Sequence, residues 1–522
     1  MKFRKIAALA LAAVMTVSAA ATASAAAVGA NEDPANTEKT DETITIALSS
    51  EPATLAPGLS GTAANEAQIV SSCFFDTLVK QDMNTGEILP GLATEWEWVD
   101  DTHCKFTIRD NAKCYNGDML TADDVAWCIN EVWVALNASN DTGMFVAGAE
   151  ADGNTVTIEF NLVSPALLGM LSWTNFNIYS QADVEAAGGM EQATKTPFMG
   201  TGPYRFVEWK TTEYIKCERN EEYWDPNYTG YFKEIVFKFI GEPASREANV
   251  ESGDVDVAAD MPVIQASAFV DSENVKTVLY NYGQNGHLWY NMTEGHPTAD
   301  INVRKAIDLA LDFDNIAIVG TAGTAQAATG YIDFGSPYHN DTYTAEERAV
   351  NIEEAKALLE EAGYGDGLTL QTTYLSETET VHAVFKECLR QIGIDLVLNP
   401  TDVPTFVQVA NGGDYDIIMI GEWMTDRIPS AFPFIRWDNI HGFHMGGPQT
   451  TTDELDALVH EFISEKDDEA AKGILQNIEQ IMKDDCMVSN LYPEVKAAIL
   501  NKDLKGFTTL ERGYINPINF YK

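Results

Sequence analysis

Residues 91–133 constrain the fold more than any other stretch. Thr102, Cys104, Phe106 and Ile108 alternate with His103, Lys105 and Thr107. That period of two marks a half-buried strand, whose successive side chains point to opposite faces. Arg109, Asp110 and Asn111 supply turn chemistry, and residues 113–115 are expected to return as a hairpin. Asn116-Gly117-Asp118 is a second turn signal. Thr121, with Asp124 three residues on, reads as a helix N-cap, since hydroxyl and carboxylate each take up a free amide of the first turn. The helix that follows is expected to carry Val125, Ile129, Val132 and Leu136 on one face.

A chain of 522 residues has room for two or three domains with sizeable cores. Its net charge of −46 argues against nucleic acid as a partner, because a phosphate backbone would be repelled. Lys2, Arg4 and Lys5 precede an apolar run at 6–17 that is too short to span a bilayer, and Ala23-Ser24-Ala25 fits a cleavage site. Residues 1–25 therefore read as a signal peptide and 26–42 as a disordered tether. No later stretch is apolar enough for a membrane span, and the first cysteine is Cys73, so no lipid-anchor cysteine follows the signal segment. The expected location is the periplasm or the outside of the cell.

The seven cysteines are dispersed without a C-x-x-C, which argues against zinc. Cys104 and Cys114 flank the Arg109 turn symmetrically, so a disulfide across that hairpin is one reading. Buried small hydrophobes is the other.

Further strands are expected at 43–49, 155–161, 214–219, 235–240, 287–291, 368–374, 394–398 and 416–420. Helices are expected at 68–79, 246–251, 302–312, 352–362, 380–392, 453–464 and 468–483, with Gly363 as a C′ residue. The strand-helix-strand order of the second half argues for α/β layers. Gly200-Thr201-Gly202 is not a dinucleotide fingerprint, since Arg205 stands where a third glycine is required. The sequence holds no G-x-S-x-G, H-E-x-x-H or Walker A motif. Adjacent acids such as Asp123/Asp124 and Glu360/Glu361 point apart on their helices. A non-enzyme without cofactor or metal is expected, and a secreted hydrolase is the remote alternative.

Several blocks, in order, resemble family 5 extracytoplasmic solute-binding proteins, the peptide- and nickel-binding receptors of ABC importers. They are PGLATEW, FTIRD, NGD and LTADDV within 90–125, GTGPYRF at 200–206, ERNEEYW at 218–224, ESGDVDV at 251–257, INVRKAIDLALDFDNI at 301–316 and IEEAKALLEEAGYGDG at 352–367. The resemblance implies an α/β type 2 periplasmic-binding-protein fold, two lobes joined by a hinge. Lobe I would be 43–80 with 196–286 and 494–522, an extra domain 81–195, and lobe II 287–493. Hinge strands would lie near Asn285 and Tyr492.

The same resemblance implies a monomeric receptor that captures a peptide in an interlobe cleft and hands it to ABC permease subunits. Peptide binders of the family carry W-x-x-D-Y followed by proline, the aspartate pairing with the peptide's α-ammonium. Trp423 and Asp426 match that pattern, with Trp423 an aromatic wall. Arg427 replaces the usual aromatic and Pro429 comes one residue early. Dipeptide binders place an arginine after the strand at 368–374, but 375–380 holds none, so oligopeptides or non-peptide ligands fit better. His441 and His444 stand where nickel binders of the family keep a pocket histidine. A nickel chelate and an oligosaccharide are therefore the alternative ligands.

Overall fold

The structure, a computed structural model, describes residues 39–55, 65–82, 85–136, 145–194, 199–226, 230–266, 269, 272–332, 336, 338–423, 452–510 and 513–522. These fall into two compact units. An N-terminal unit takes in residues 39–282 with Ile463–Lys466 and Lys496–Lys522, and a C-terminal unit takes in Gly283–Phe462 with Asp467–Val495. Two of the crossings between them fall within long strands, Val275–Tyr290 and Val488–Asn501, and the other two bracket Ile463–Lys466.

In the N-terminal unit the apolar strand Thr43–Leu48 lies between Glu234–Phe239 and Val257–Met261, parallel to both. Tyr204–Lys210, Tyr214–Arg219 and Glu234–Phe239 continue the sheet as an antiparallel meander. A second, antiparallel sheet has the order Ala93–Trp98, His103–Ile108, Thr155–Phe160, Val146–Asp152. As expected, Cys104, Phe106 and Ile108 are buried and their neighbours half-buried. Thr121 and Asp124 form the reciprocal cap: Asp124 N donates to Thr121 Oγ1 at 3.1 Å, and Thr121 N donates to Asp124 Oδ2 at 3.0 Å.

Four expectations need correction here. Residues 113–115 do not return along the strand at 103–108, whose partners are 93–98 and 155–160; Lys113 bridges Met119 instead. Cys104 lies opposite Trp98 and Ile158, so no 104–114 disulfide forms, and all seven cysteines are free and buried. The capped helix Ala122–Trp127 widens into a π-helical stretch, Cys128–Val134. That wider winding moves later residues off the apolar face, and Leu136 is 54% exposed. Finally, the helix expected at 68–79 is Asn65–Ser71 only. The carbonyls of Cys73 and Phe74 are taken by the amides of Tyr204 and Gly202, both at 2.9 Å, so the helical ladder cannot continue.

In the C-terminal unit Val275–Tyr290 runs antiparallel to Ile417–Trp423. Leu368–Leu375 and Ile394–Thr401 form a parallel pair joined through the helix Glu379–Arg390. Helices Ile301–Ala310, Phe313–Thr321 and Ile352–Glu361 close the core around Leu288, Ile307, Phe385 and Leu396. Asn351 caps the last of these, and Gly363 follows it at φ +87°, the left-handed conformation that ends helices cheaply only with glycine. Arg304 is the polar bolt of the unit. Its Nη1 donates to Thr298 O and Ala299 O, both at 2.9 Å, its Nε to Cys486 O at 3.0 Å and its Nη2 to Asp485 O at 2.8 Å. It thereby satisfies carbonyls at the end of the helix Asp468–Asp484.

That helix also buries Glu479 completely. Its Oε2 accepts from Asn340 Nδ2 at 2.8 Å and Thr342 Oγ1 at 3.0 Å. Burial, only partly offset by these bonds, pushes the carboxyl up from 4.5 to about 7. A carboxyl raised in the folded state holds its proton where the unfolded chain has lost it. Stability is therefore greatest below about pH 4.5 as far as this group goes, and falls as pH rises to about 7, by about 3 kcal/mol in all. Urea unfolding of Glu479→Gln across pH 4 to 8 should lack this component. An unchanged pH slope would place the dependence elsewhere.

Candidate functional site

The sequence blocks meet in the N-terminal unit as one structural knot. Asp76 accepts from Thr201 Oγ1 at 2.8 Å, Tyr223 Oη at 2.6 Å and Trp224 Nε1 at 2.9 Å. Asn220 donates to Gly202 O at 3.0 Å. The Arg109 guanidinium lies 3.6 Å over the Trp224 ring, with Nε donating to Gly91 O at 2.7 Å. These bonds tie blocks far apart in the sequence to one another, which is a positioning role.

Of the ligand residues expected from sequence, Asp426, Arg427 and His441 lie outside the described residues. Trp423 is the last residue of the strand Ile417–Trp423, with its backbone opposite Gln284. Two positions earlier, Gly421 makes room for side chains: a Cβ there would come within 2.5 Å of Glu494 Oε1 and 2.7 Å of Gln284 Oε1. The expected binding segment thus leaves a strand whose end is lined by an acid and an amide.

A second cluster, missed by the sequence reading, belongs wholly to the N-terminal unit. The strand Val257–Met261 pairs Ala258 with Ile499 and Met261 with Ala497, so two residues bulge opposite one. One of the two, Asp260, has φ +48°. A non-glycine residue held there carries strain of about 1 kcal/mol or more, and such strain concentrates at functional positions. The carboxylate is turned inward. Its Oδ2 is shielded from solvent and has no hydrogen-bond partner among the described residues, and its Oδ1 is 3.4 Å from Tyr280 Oη. Burial raises its pKa; the Lys496 ammonium and, after it, Arg246 pull it down, while the Glu66 carboxylate adds to the rise.

The surroundings are fixed. Arg246 donates to Ile240 O, Gly241 O and Asp260 O at 2.8, 2.8 and 3.1 Å, clamping the bulge. Glu66 accepts from Ser49 and, at 2.9 Å, Ser50. Lys496 Nζ stands 4.5 Å over the Tyr282 ring, whose hydroxyl donates to Asn65 at 2.7 Å. A shielded carboxylate with a free oxygen, flanked by tyrosines, is chemically suited to a desolvated cation such as an ammonium. The legible signal was an aspartate within the apolar run VAADM; the bulge that aims it was not.

Known proteins agree with this architecture. The family model for bacterial extracellular solute-binding proteins, family 5, matches residues 87–440. The chain belongs to that family. It is therefore a substrate-binding protein of an ABC importer, of the peptide- and nickel-binding group. The chain is 24% identical over 496 residues to the periplasmic murein peptide-binding protein MppA of Escherichia coli strain K12, covering 88% of this chain and 89% of that protein. It is 24% identical over 532 residues to the oligopeptide-binding protein OppA of Bacillus subtilis strain 168, covering 94% and 95%. Among solved structures, NikA from Brucella suis in complex with Fe(III)-EDTA superposes with a TM-score of 0.79 at 22% identity, over 92% of this chain and 99% of that one. Among the described residues no helix is long and apolar enough to cross a membrane.

Proposed function

We propose that this family member is an exported, monomeric peptide receptor that captures oligopeptides and delivers them to ABC permease subunits without turning them over. The observation that carries the reading is Asp260, a shielded carboxylate with a free oxygen on a strained bulge, which suits an ammonium or a basic peptide side chain. It is supported by the near full-length similarity to proteins named for peptide binding. Asp426, with Trp423, Arg427 and His441, remains a proposed set of ligand contacts on sequence grounds. The signal segment at 1–25 supports export.

The test is native mass spectrometry of the purified chain, with denaturing release of whatever co-purifies. A ladder of peptide masses is expected. Asp260→Gly should lose it, with peptide affinity down at least tenfold by calorimetry. Because glycine accepts φ +48° freely, that variant should be no less stable than the parent. Tight peptide binding by Asp260→Gly would remove the site, and a released sugar or metal chelate would remove the peptide reading.

A further inference from the structure

The cluster around Asp260 has a second charged half. The strand Val488–Asn501 runs antiparallel beside Val257–Met261, with Met261 opposite Ala497, and Val275–Tyr290 neighbours it on its other side. Ala497 and Ile499 pack into one apolar core with Val250, Val255 and Met261, and Leu279 packs against the same core. Alternation therefore turns Lys496, Tyr280 and Tyr282 to the opposite face of the sheet. The Lys496 ammonium rests there 4.5 Å over the ring of Tyr282. The Tyr280 hydroxyl, on the same face, donates to Asp260 Oδ1 at 3.4 Å. The two tyrosines, spaced about 7 Å along their strand, thus seat opposite charges side by side.

Neither charge is spent. Asp260 Oδ2 has no hydrogen-bond partner, and among the described residues Lys496 makes neither a hydrogen bond nor an ion pair. Acids outnumber bases 79 to 33 in this chain, so a half-buried lysine without one is not short of candidates. Arg246 commits both terminal nitrogens to backbone carbonyls, whereas Lys496 keeps its N–H donors for a ligand. We propose that Lys496 is the anion-binding half of the Asp260 site, which selects peptides with an acidic residue directly after the one bearing the α-ammonium. The ammonium meets Asp260 Oδ2 while the side-chain carboxylate meets Lys496, a reach of about 7 Å in an extended peptide. The inference rests on the peptide reading above and adds to it which peptides are preferred.

The experiment is calorimetry of the full chain with two C-terminally amidated tetrapeptides, Ala-Glu-Ala-Ala and Ala-Gln-Ala-Ala. The glutamate peptide should bind at least about tenfold more tightly. That preference runs against the chain's net charge of −46, whose long-range field disfavours an acidic ligand, so only a local cation explains it. Lys496→Met keeps an apolar stem on the Tyr282 ring. It should bring the glutamate peptide down to the affinity of the glutamine peptide and leave the latter within about twofold. Lys496→Arg should keep most of the preference. Equal affinities in the parent chain, or an equal loss of both peptides in Lys496→Met, would overturn this inference and leave the peptide reading standing. Binding of neither peptide by the parent would overturn both. The parent comparison needs no variant, so it decides even if a substituted chain fails to fold.

Discussion

Replacing Gly202 by alanine will destabilise the chain by about 3 kcal/mol or more, a large share of an ordinary domain's stability. The added Cβ would stand 2.3 Å from Phe74 C, 2.6 Å from Phe74 O and 2.7 Å from Cys73 O. All three are backbone atoms held by the Gly202 and Tyr204 amides, so nothing flexible can yield. Gly202 is not among the residues with positive φ, so the effect is purely steric. Gly117→Ala is the matched control. It sits at φ +94° with nothing within 4 Å of a new Cβ, and should cost about 1 kcal/mol from backbone strain alone. Urea unfolding of both variants measures the difference. A Gly202→Ala midpoint equal to that of Gly117→Ala would mean that the knot around Asp76 is looser than its distances state.

The second large effect belongs to Arg304. Arg304→Met keeps the length and apolar stem but strips donors from four carbonyls, those of Thr298, Ala299, Asp485 and Cys486. Each buried unsatisfied acceptor costs about 1–3 kcal/mol, partly relieved by water entry, so a loss of about 4 kcal/mol is expected. Arg304→Lys should recover little, because one ammonium cannot reach carbonyls spread around a planar fork. Hydrogen exchange should show amides at 481–487 losing protection before the rest of the C-terminal unit. If lysine restores stability fully, the charge and not the fork is what matters.

These two residues also show what the sequence made legible. Gly202 and Arg304 both stand in blocks quoted for their resemblance, GTGPYRF and INVRKAIDLALDFDNI. Their jobs could not be read there, because each depends on residues far along the chain. Local rules worked where the cause is local: the Thr121 cap, the alternation at 103–108 and the Gly363 helix end all stand as expected. They failed where a distant partner decides. Only 287–291 of the strand Val275–Tyr290 was expected, since Asn281, Gly283 and Gly286 break its pattern; the ladder with Ile417–Trp423 holds Gln284–Tyr290, and on its other side the strand neighbours Val488–Asn501. Asp260 was overlooked for the same reason, its bulge being defined by register against residues 497–499.

The return of the chain to the N-terminal unit through the strand Val488–Asn501 bears on how the protein is made. The strand Val257–Met261 and the core beside it are completed by Ala497 and Ile499, which a ribosome produces only after the entire C-terminal unit. The N-terminal unit therefore cannot finish folding in the order of synthesis. Its sheet waits, with an open edge at Val257–Met261, while more than two hundred further residues emerge. Truncation anywhere before that returning strand removes both units' integrity at once, so a fragment ending at Tyr282 would be a poor stand-in for the N-terminal unit. A chain that stays incomplete so long is also one that remains threadable through a narrow membrane channel until its last strand arrives.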